Sequence, residues 1–243
     1  MNKFNVSQKR MTNIPQILGG YNIIKLKPLN YGVLKGKISH SCSSCINFSI
    51  FDSWFQSWTK QDLDETQKKE LNLSDEKIKD IQKWTESKYD NLANLFRNLQ
   101  EAKEFKNLFL KSVPNLEIYS INFSEKDANL LIEEFAENVG TENYNYNKGD
   151  FVLRKNLLNS IPENQNEKFL GFDIIGIECD GSFHSFLCNN ASNKLKEKFG
   201  LDLNEFGLYD EIEDTDELRK FLTNEDYFEP VPYYICKVKK VVE

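Results

Sequence analysis

The stretch Phe169–Asn190, FLGFDIIGIECDGSFHSFLCNN, constrains the fold more than any other part of the chain. Asp180-Gly181 stands between two apolar runs, and this dipeptide is the strongest short-range signal of a two-residue β-hairpin, whose central residues need positive φ. With that turn, Cys179 faces Ser182, Ile177 faces His184, Ile175 faces Phe186 and Asp173 faces Cys188. Alternation then places Asp173, Ile175, Ile177, Cys179, Ser182, His184, Phe186 and Cys188 on one face. Phe172, Ile174, Gly176, Glu178, Phe183, Ser185 and Leu187 take the other. Both faces are largely apolar, which predicts a central hairpin covered on both sides.

The pattern around the hairpin predicts an α+β fold, with a mixed or antiparallel sheet, helices packed on it and a helical segment in the first half. Residues 1–20 read as a loosely held arm ending at Leu18-Gly19-Gly20. Short strands follow from Tyr21, finishing with Cys45–Phe51, and Trp54, Phe55 and Trp58 form an aromatic plug. Ser74-Asp75-Glu76 is a helix start with acids in its first turn, and Ile78, Ile81, Trp84, Leu92, Leu95 and Leu99 fall near one stripe. A second helix takes Ala102–Leu110. From Leu116 the period becomes two, then Ser124 caps a helix whose Ala128, Leu131, Ile132 and Phe135 share a face.

Residues 138–168 turn polar around one apolar piece, FVLRKNLL, and read as a mobile surface excursion. A helix from Ala191 to Phe199 is stopped by Gly200. A further helix includes Leu218, Phe221 and Leu222, and a last strand, Tyr233–Val242, carries Lys237, Lys239 and Lys240 as an edge strand would. The expected division is residues 1–115, short strands plus the helical segment, and residues 116–243, an α+β domain with the central hairpin 169–188.

A chain of 243 residues that is 40% hydrophobic can fill a core without covalent staples. Its five cysteines are an odd number without repeated spacing, and MNKFNVSQKR has no apolar run after its charges, so reduced thiols and a cytoplasmic location are expected. No apolar window is long enough for a membrane helix. The net charge of −7 has the wrong sign for a domain that neutralises phosphates, so direct nucleic-acid binding is not expected.

Three constellations could carry chemistry. His40, Cys42, Cys45, Cys179 and His184 are ligand types for a zinc-stabilised interaction module, but His184 and Cys188 stand too far apart along a strand, about 13 Å, to share one ion with Cys179. The expectation is no bound cofactor, with buried cysteines acting as small hydrophobes. Second, His184 with Cys179 or Cys188, oriented by Asp173 or Glu178, would make the nucleophilic pair of a hydrolase or transferase. No nucleophile-elbow, phosphate-loop, dinucleotide or zinc-protease motif accompanies it. Third, Asp210, Glu211, Glu213, Asp214, Asp216 and Glu217 form an acidic run suited to a basic partner. The other paired acids, such as Glu133-Glu134, read as solvated.

From LEIYSINFSEKDANLLIEEF through GSFHSFLCN to EPVPYYI, residues 116–243 resemble small uncharacterised bacterial cytosolic proteins. More distantly they resemble the immunity proteins of bacterial polymorphic toxin systems, acidic α+β proteins that block a toxin by binding it. The resemblance implies no catalytic residues and does not extend to the first 115 residues. The expected function is therefore a non-enzymatic immunity- or antitoxin-like interaction protein acting through the acidic run.

Overall fold

Two strands, Leu116–Ser124 (β3) and Tyr233–Lys240 (β6), pair antiparallel at the centre of a six-stranded sheet of order β2-β1-β3-β6-β4-β5. The others are Gln16–Lys25 (β1), Phe48–Ser49 (β2), Lys168–Ile177 (β4) and Phe183–Ser185 (β5), all paired antiparallel. The computed structural model describes residues 14–29, 35–43, 46–49, 65–89, 95–137, 152–177, 183–189, 191–223 and 231–242. Among them, helices occupy Glu65–Glu70 (α1), Asp75–Lys88 (α2), Leu99–Phe109 (α3), Glu125–Glu137 (α4), Val152–Leu158 (α5), Ala191–Phe199 (α6) and Asp216–Leu222 (α7). A 3-10 turn, Phe186–Asn189, follows β5. The fold is α+β, as the periodicities predict.

The sheet is built from two halves in matching register. Tyr21 pairs with Ser120 in the first half, and Phe172 pairs with Lys237 in the second. Ile24 is flanked by Glu117 and Ser49, and Ile175 by Tyr234 and Ser185. The central pair Ile121 and Val238 joins two equivalent positions, so a pseudo-twofold axis passes between them. Strands β1 and β4 carry a bulge at the same place, between Leu18 and Gly20 and between Phe169 and Gly171. Beyond each bulge one aromatic residue closes a two-bond bridge from a loop, Phe96 to Tyr21 and Tyr209 to Phe172.

The glycines at these bulges are required. Gly20 has φ +155° and Gly171 φ +149°, and a Cβ on either would come within 2.7 Å of a leucine Cβ, Leu95 or Leu208. A side chain at either site has no room while the bridging loop lies against the strand.

The start signals at Ser74 and Ser124 are met, and Thr215 caps α7. Ser74 accepts from Lys77 N at 3.2 Å, Ser124 accepts from Asp127 N at 3.1 Å, and Thr215 accepts from Leu218 N at 3.1 Å. Gly200 closes α6 with φ +68°. One large core joins β1, β3 and part of β4 to α2–α5, including a packed aromatic group of Trp84, Phe96, Phe105 and Phe109. A second core gathers Phe172, Ile174, Tyr233 and Ile235 under α6 and α7.

Several expectations need correction. Gln16–Gly20 is not an arm but the bulged start of β1, because the pairing with β3 satisfies its backbone. Helix α2 stops at Lys88, so Leu95 and Leu99 belong to the bridge loop and to α3. The piece Val152–Leu158 is a helix with Val152, Leu153, Asn156 and Leu157 buried against the first half of the sheet. Strand β6 is central, not an edge. Its lysines are tolerated there because Lys237 and Lys239 both reach Glu163, at 3.1 and 3.2 Å. Strand β1, which precedes residue 115, pairs along the length of β3, which follows it. Trp54, Phe55 and Trp58 lie outside the described residues.

The hairpin is not central either, because β5 is the last strand of the sheet, and its register is shifted by one residue. Ile177 pairs with Phe183, Gly176 with His184 and Ile175 with Ser185, so five residues connect the strands. A one-residue slip exchanges the faces of a strand. Here it puts Phe183 into the large core with Ile175 and Ile177, and turns His184 to the opposite face. Burying a phenyl ring there instead of an imidazole is the favourable exchange.

Candidate functional site

Residues 39–43, in the connection from β1 to β2, dock on the second half of the sheet. A loop buried this deeply must satisfy its own backbone, and its serines and asparagine do so. Asn47 Nδ2 donates to the carbonyls of Ser39 and Ser41 at 2.8 and 2.9 Å, and Ser39 Oγ accepts from Ser41 N at 3.2 Å. Ser43 Oγ donates to the Phe183 carbonyl on β5 at 3.0 Å, and His40 N donates to the Phe206 carbonyl at 2.8 Å.

The anchor of the loop is Asp173 on β4. Its Oδ2 accepts from Ser41 Oγ at 2.6 Å and from Cys42 N at 3.2 Å, while Oδ1 accepts from Ile174 N at 2.9 Å. Burial pushes this carboxyl up to about 6 against the pull of those three hydrogen bonds. Cys42 and Cys236 are fully buried near it, and burial together with the Asp173 charge pushes both thiols up. Each is therefore a neutral thiol at physiological pH, not a nucleophile.

His40 is half-buried at the end of the sheet. Its Nδ1 lies 2.7 Å from Tyr119 Oη, and Tyr119 Oη donates to Glu117. Since the single hydroxyl proton is given to Glu117, Nδ1 carries the proton of the neutral ring and donates to Tyr119. Lys240 Nζ holds the other oxygen of Glu117 at 2.6 Å. Burial lowers the His40 pKa, and Lys240 and Lys168 lower it further against the opposing pull of Glu117.

The sequence-predicted residues are thus dispersed. His184 sits half-buried on β5 opposite Gly176, away from the face of Asp173. Cys188 is in the 3-10 turn and not on the strand, so it does not pair with Asp173; its side chain, like Cys45, Cys179 and Glu178, lies outside the described residues. His40 is committed to Tyr119 and Cys42 to the buried surroundings of Asp173. Among the described residues no group of three or more His, Cys, Asp and Glu side chains is placed to hold a metal ion. A cleft of about 390 Å³ opens beside Lys37, Ile38, Lys196, Leu203 and Asn204, and no predicted site residue lines it.

The acidic run is held as a shaped surface. Ile212 is buried, Thr215 caps α7, and Asn204 Nδ2 donates to Asp210 at 2.8 Å. Asp214 turns inward to Arg219 and to Lys126, the latter at 2.8 Å. Burial raises its pKa, but those two cations outweigh burial and leave it below the usual carboxylate value. Asp210, Glu211, Glu213, Asp216 and Glu217 are exposed. Sequence reasoning missed the Asp173 anchor and the His40–Tyr119–Glu117–Lys240 chain, whose members come from three separate segments. No helix among the described residues is long and apolar enough to cross a membrane. No protein-family model, no curated protein and no solved structure matches the chain.

Proposed function

We propose that the protein is a non-enzymatic interaction protein of the immunity or antitoxin kind, which neutralises a basic bacterial toxin or effector by occluding it. The observation that carries this reading is the acidic surface of residues 210–217, where five carboxylates face solvent on a backbone fixed by a buried isoleucine, a helix cap and an inward ion pair. Charges held on a fixed scaffold lose little freedom on binding and steer an oppositely charged partner. The net charge of −7 adds a long-range attraction of the same sign.

Co-expression with the product of a neighbouring toxin-like gene tests the reading. The wild-type chain should restore growth and co-purify with the toxin in a salt-sensitive complex. A variant carrying Glu211→Gln, Glu213→Gln, Asp216→Asn and Glu217→Gln should lose both, with its unfolding midpoint little changed. Absence of protection and of complex by the wild-type chain, or full protection by the variant, would defeat it.

A further inference from the structure

Lys168 on β4 and Lys240 on β6 stand directly opposite each other in the antiparallel ladder. Like charges so placed repel unless a negative group lies beside them. In the first half of the sheet the equivalent pair is Ile17 and Phe123, and Phe123 is fully buried. The two halves therefore diverge here, from an apolar pair to a charged and solvent-reached one.

Only one of the two lysines is neutralised. Glu117 takes Lys240 at 2.6 Å, whereas exposed Lys168 has no carboxylate partner among the described residues. Lys168 Nζ instead lies 5.0 Å from the centroid of the Phe206 ring, and the His40 ring meets the same phenyl edge-on at 5.2 Å. With Nδ1 given to Tyr119, His40 Nε2 makes no hydrogen bond among the described residues. Lys168, Lys240 and His40 thus bring three nitrogen groups with unused bonding capacity to one end of the sheet, on a chain whose net charge is −7.

We propose that Lys168, Lys240 and His40 form a binding site for a phosphate group, carried as free phosphate or as a phosphate monoester. Three nitrogen donors suit three terminal oxygens, and Lys168 with the protonated imidazole supplies the charge, since Glu117 already neutralises Lys240. Nε2 is an acceptor in the neutral ring and must take up a proton to donate, so binding and protonation of His40 are linked. The groups facing His40 are Tyr119 and Glu117 from β3, Lys240 from β6, Lys168 from β4 and the Phe206 ring. The lysines oppose its protonation and a bound dianion reverses their effect, so the His40 pKa rises on binding and affinity grows as pH falls.

The chain has two histidines, so imidazole proton NMR reads the site with little overlap, and His40→Gln assigns the signal by removing it. Inorganic phosphate, compared with sodium chloride at equal ionic strength, should raise the His40 titration midpoint saturably by about one pH unit, a tenfold linkage. Lys168→Ala, a change at an exposed residue, should abolish that shift and leave the unfolding midpoint in place. O-phosphoserine serves as the monoester probe, and the tighter of the two ligands identifies the source. Absence of a phosphate-specific shift, or an equal shift in Lys168→Ala, would mean an adventitious ion only and would overturn the site.

Discussion

Arg219 in α7 closes on Asp127 at the start of α4 with both terminal guanidinium nitrogens, Nη1 to Oδ1 at 2.7 Å and Nη2 to Oδ2 at 3.0 Å. Asp127 is fully buried, completes a reciprocal cap with Ser124 and accepts from Ile235 N on β6 at 3.4 Å. One carboxylate therefore ties α4, α7 and the central strand together.

Removing the guanidinium leaves a buried charge with only neutral donors. Arg219→Ala should cost about 3 kcal/mol in urea unfolding. Arg219→Lys should recover part of that, because it keeps the charge and loses the fork. Equal stability of wild type and Arg219→Ala would show that Asp127 is held by its cap alone.

The Asp173 carboxyl titrates at about 6 in the fold against an ordinary 3.8. A raised folded-state pKa contributes stability fully present below 3.8 and lost as pH rises through about 6. Wild type should therefore lose about 3 kcal/mol relative to Asp173→Asn between pH 3.5 and 7. Urea midpoints of both proteins across that range measure the difference, and parallel pH profiles would contradict it.

Glu163 is the shared partner of two nearly buried ammonium groups, Lys237 and Lys239. Glu163→Gln should destabilise by about 3 kcal/mol, since each lysine then lacks a counter-charge. Adding Lys237→Met to that background should restore part of the loss. A further loss in the double variant, measured in the same urea series, would show that Lys237 contributes through packing and not charge.

The matched bulges predict matched sensitivity. Gly20→Ala and Gly171→Ala each push a Cβ to 2.7 Å from a leucine of the bridging loop. Each should cost about 2 kcal/mol or more, with faster hydrogen exchange at the bridge amides of Phe96 or Tyr209 respectively. If only one of the two bridges loosens, the halves are not mechanically equivalent.

Local signals were legible where the physics is local. Ser74, Ser124 and Gly200 announce helix ends because caps satisfy groups within a few residues of themselves. The hairpin joining β4 to β5 was legible as a connection but not in register, since the choice between Phe183 and His184 as the buried residue depends on what packs across the sheet, while Asp180-Gly181 itself lies outside the described residues. The match between the two halves had a faint trace in sequence: Gly20-Tyr21-Asn22-Ile23-Ile24 corresponds to Gly171-Phe172-Asp173-Ile174-Ile175. Its meaning appears only in the pairing, where the same positions carry the same bulge and the same bridge.

The sequence by itself determined the α+β class, the helix starts at Ser74 and Ser124, most strand positions and an acidic balance, because propensity, periodicity and charge are properties of short segments. Tertiary structure alone decided that Lys237 and Lys239 belong to a central strand, that Ser41 and Cys42 close on Asp173, and that His40 meets Lys168 and Lys240 at one sheet end. Those relations join residues far apart in the chain, 132 positions for Ser41 and Asp173 and 74 for Lys237 and Glu163, and no local pattern encodes a partner that only folding brings within hydrogen-bond reach.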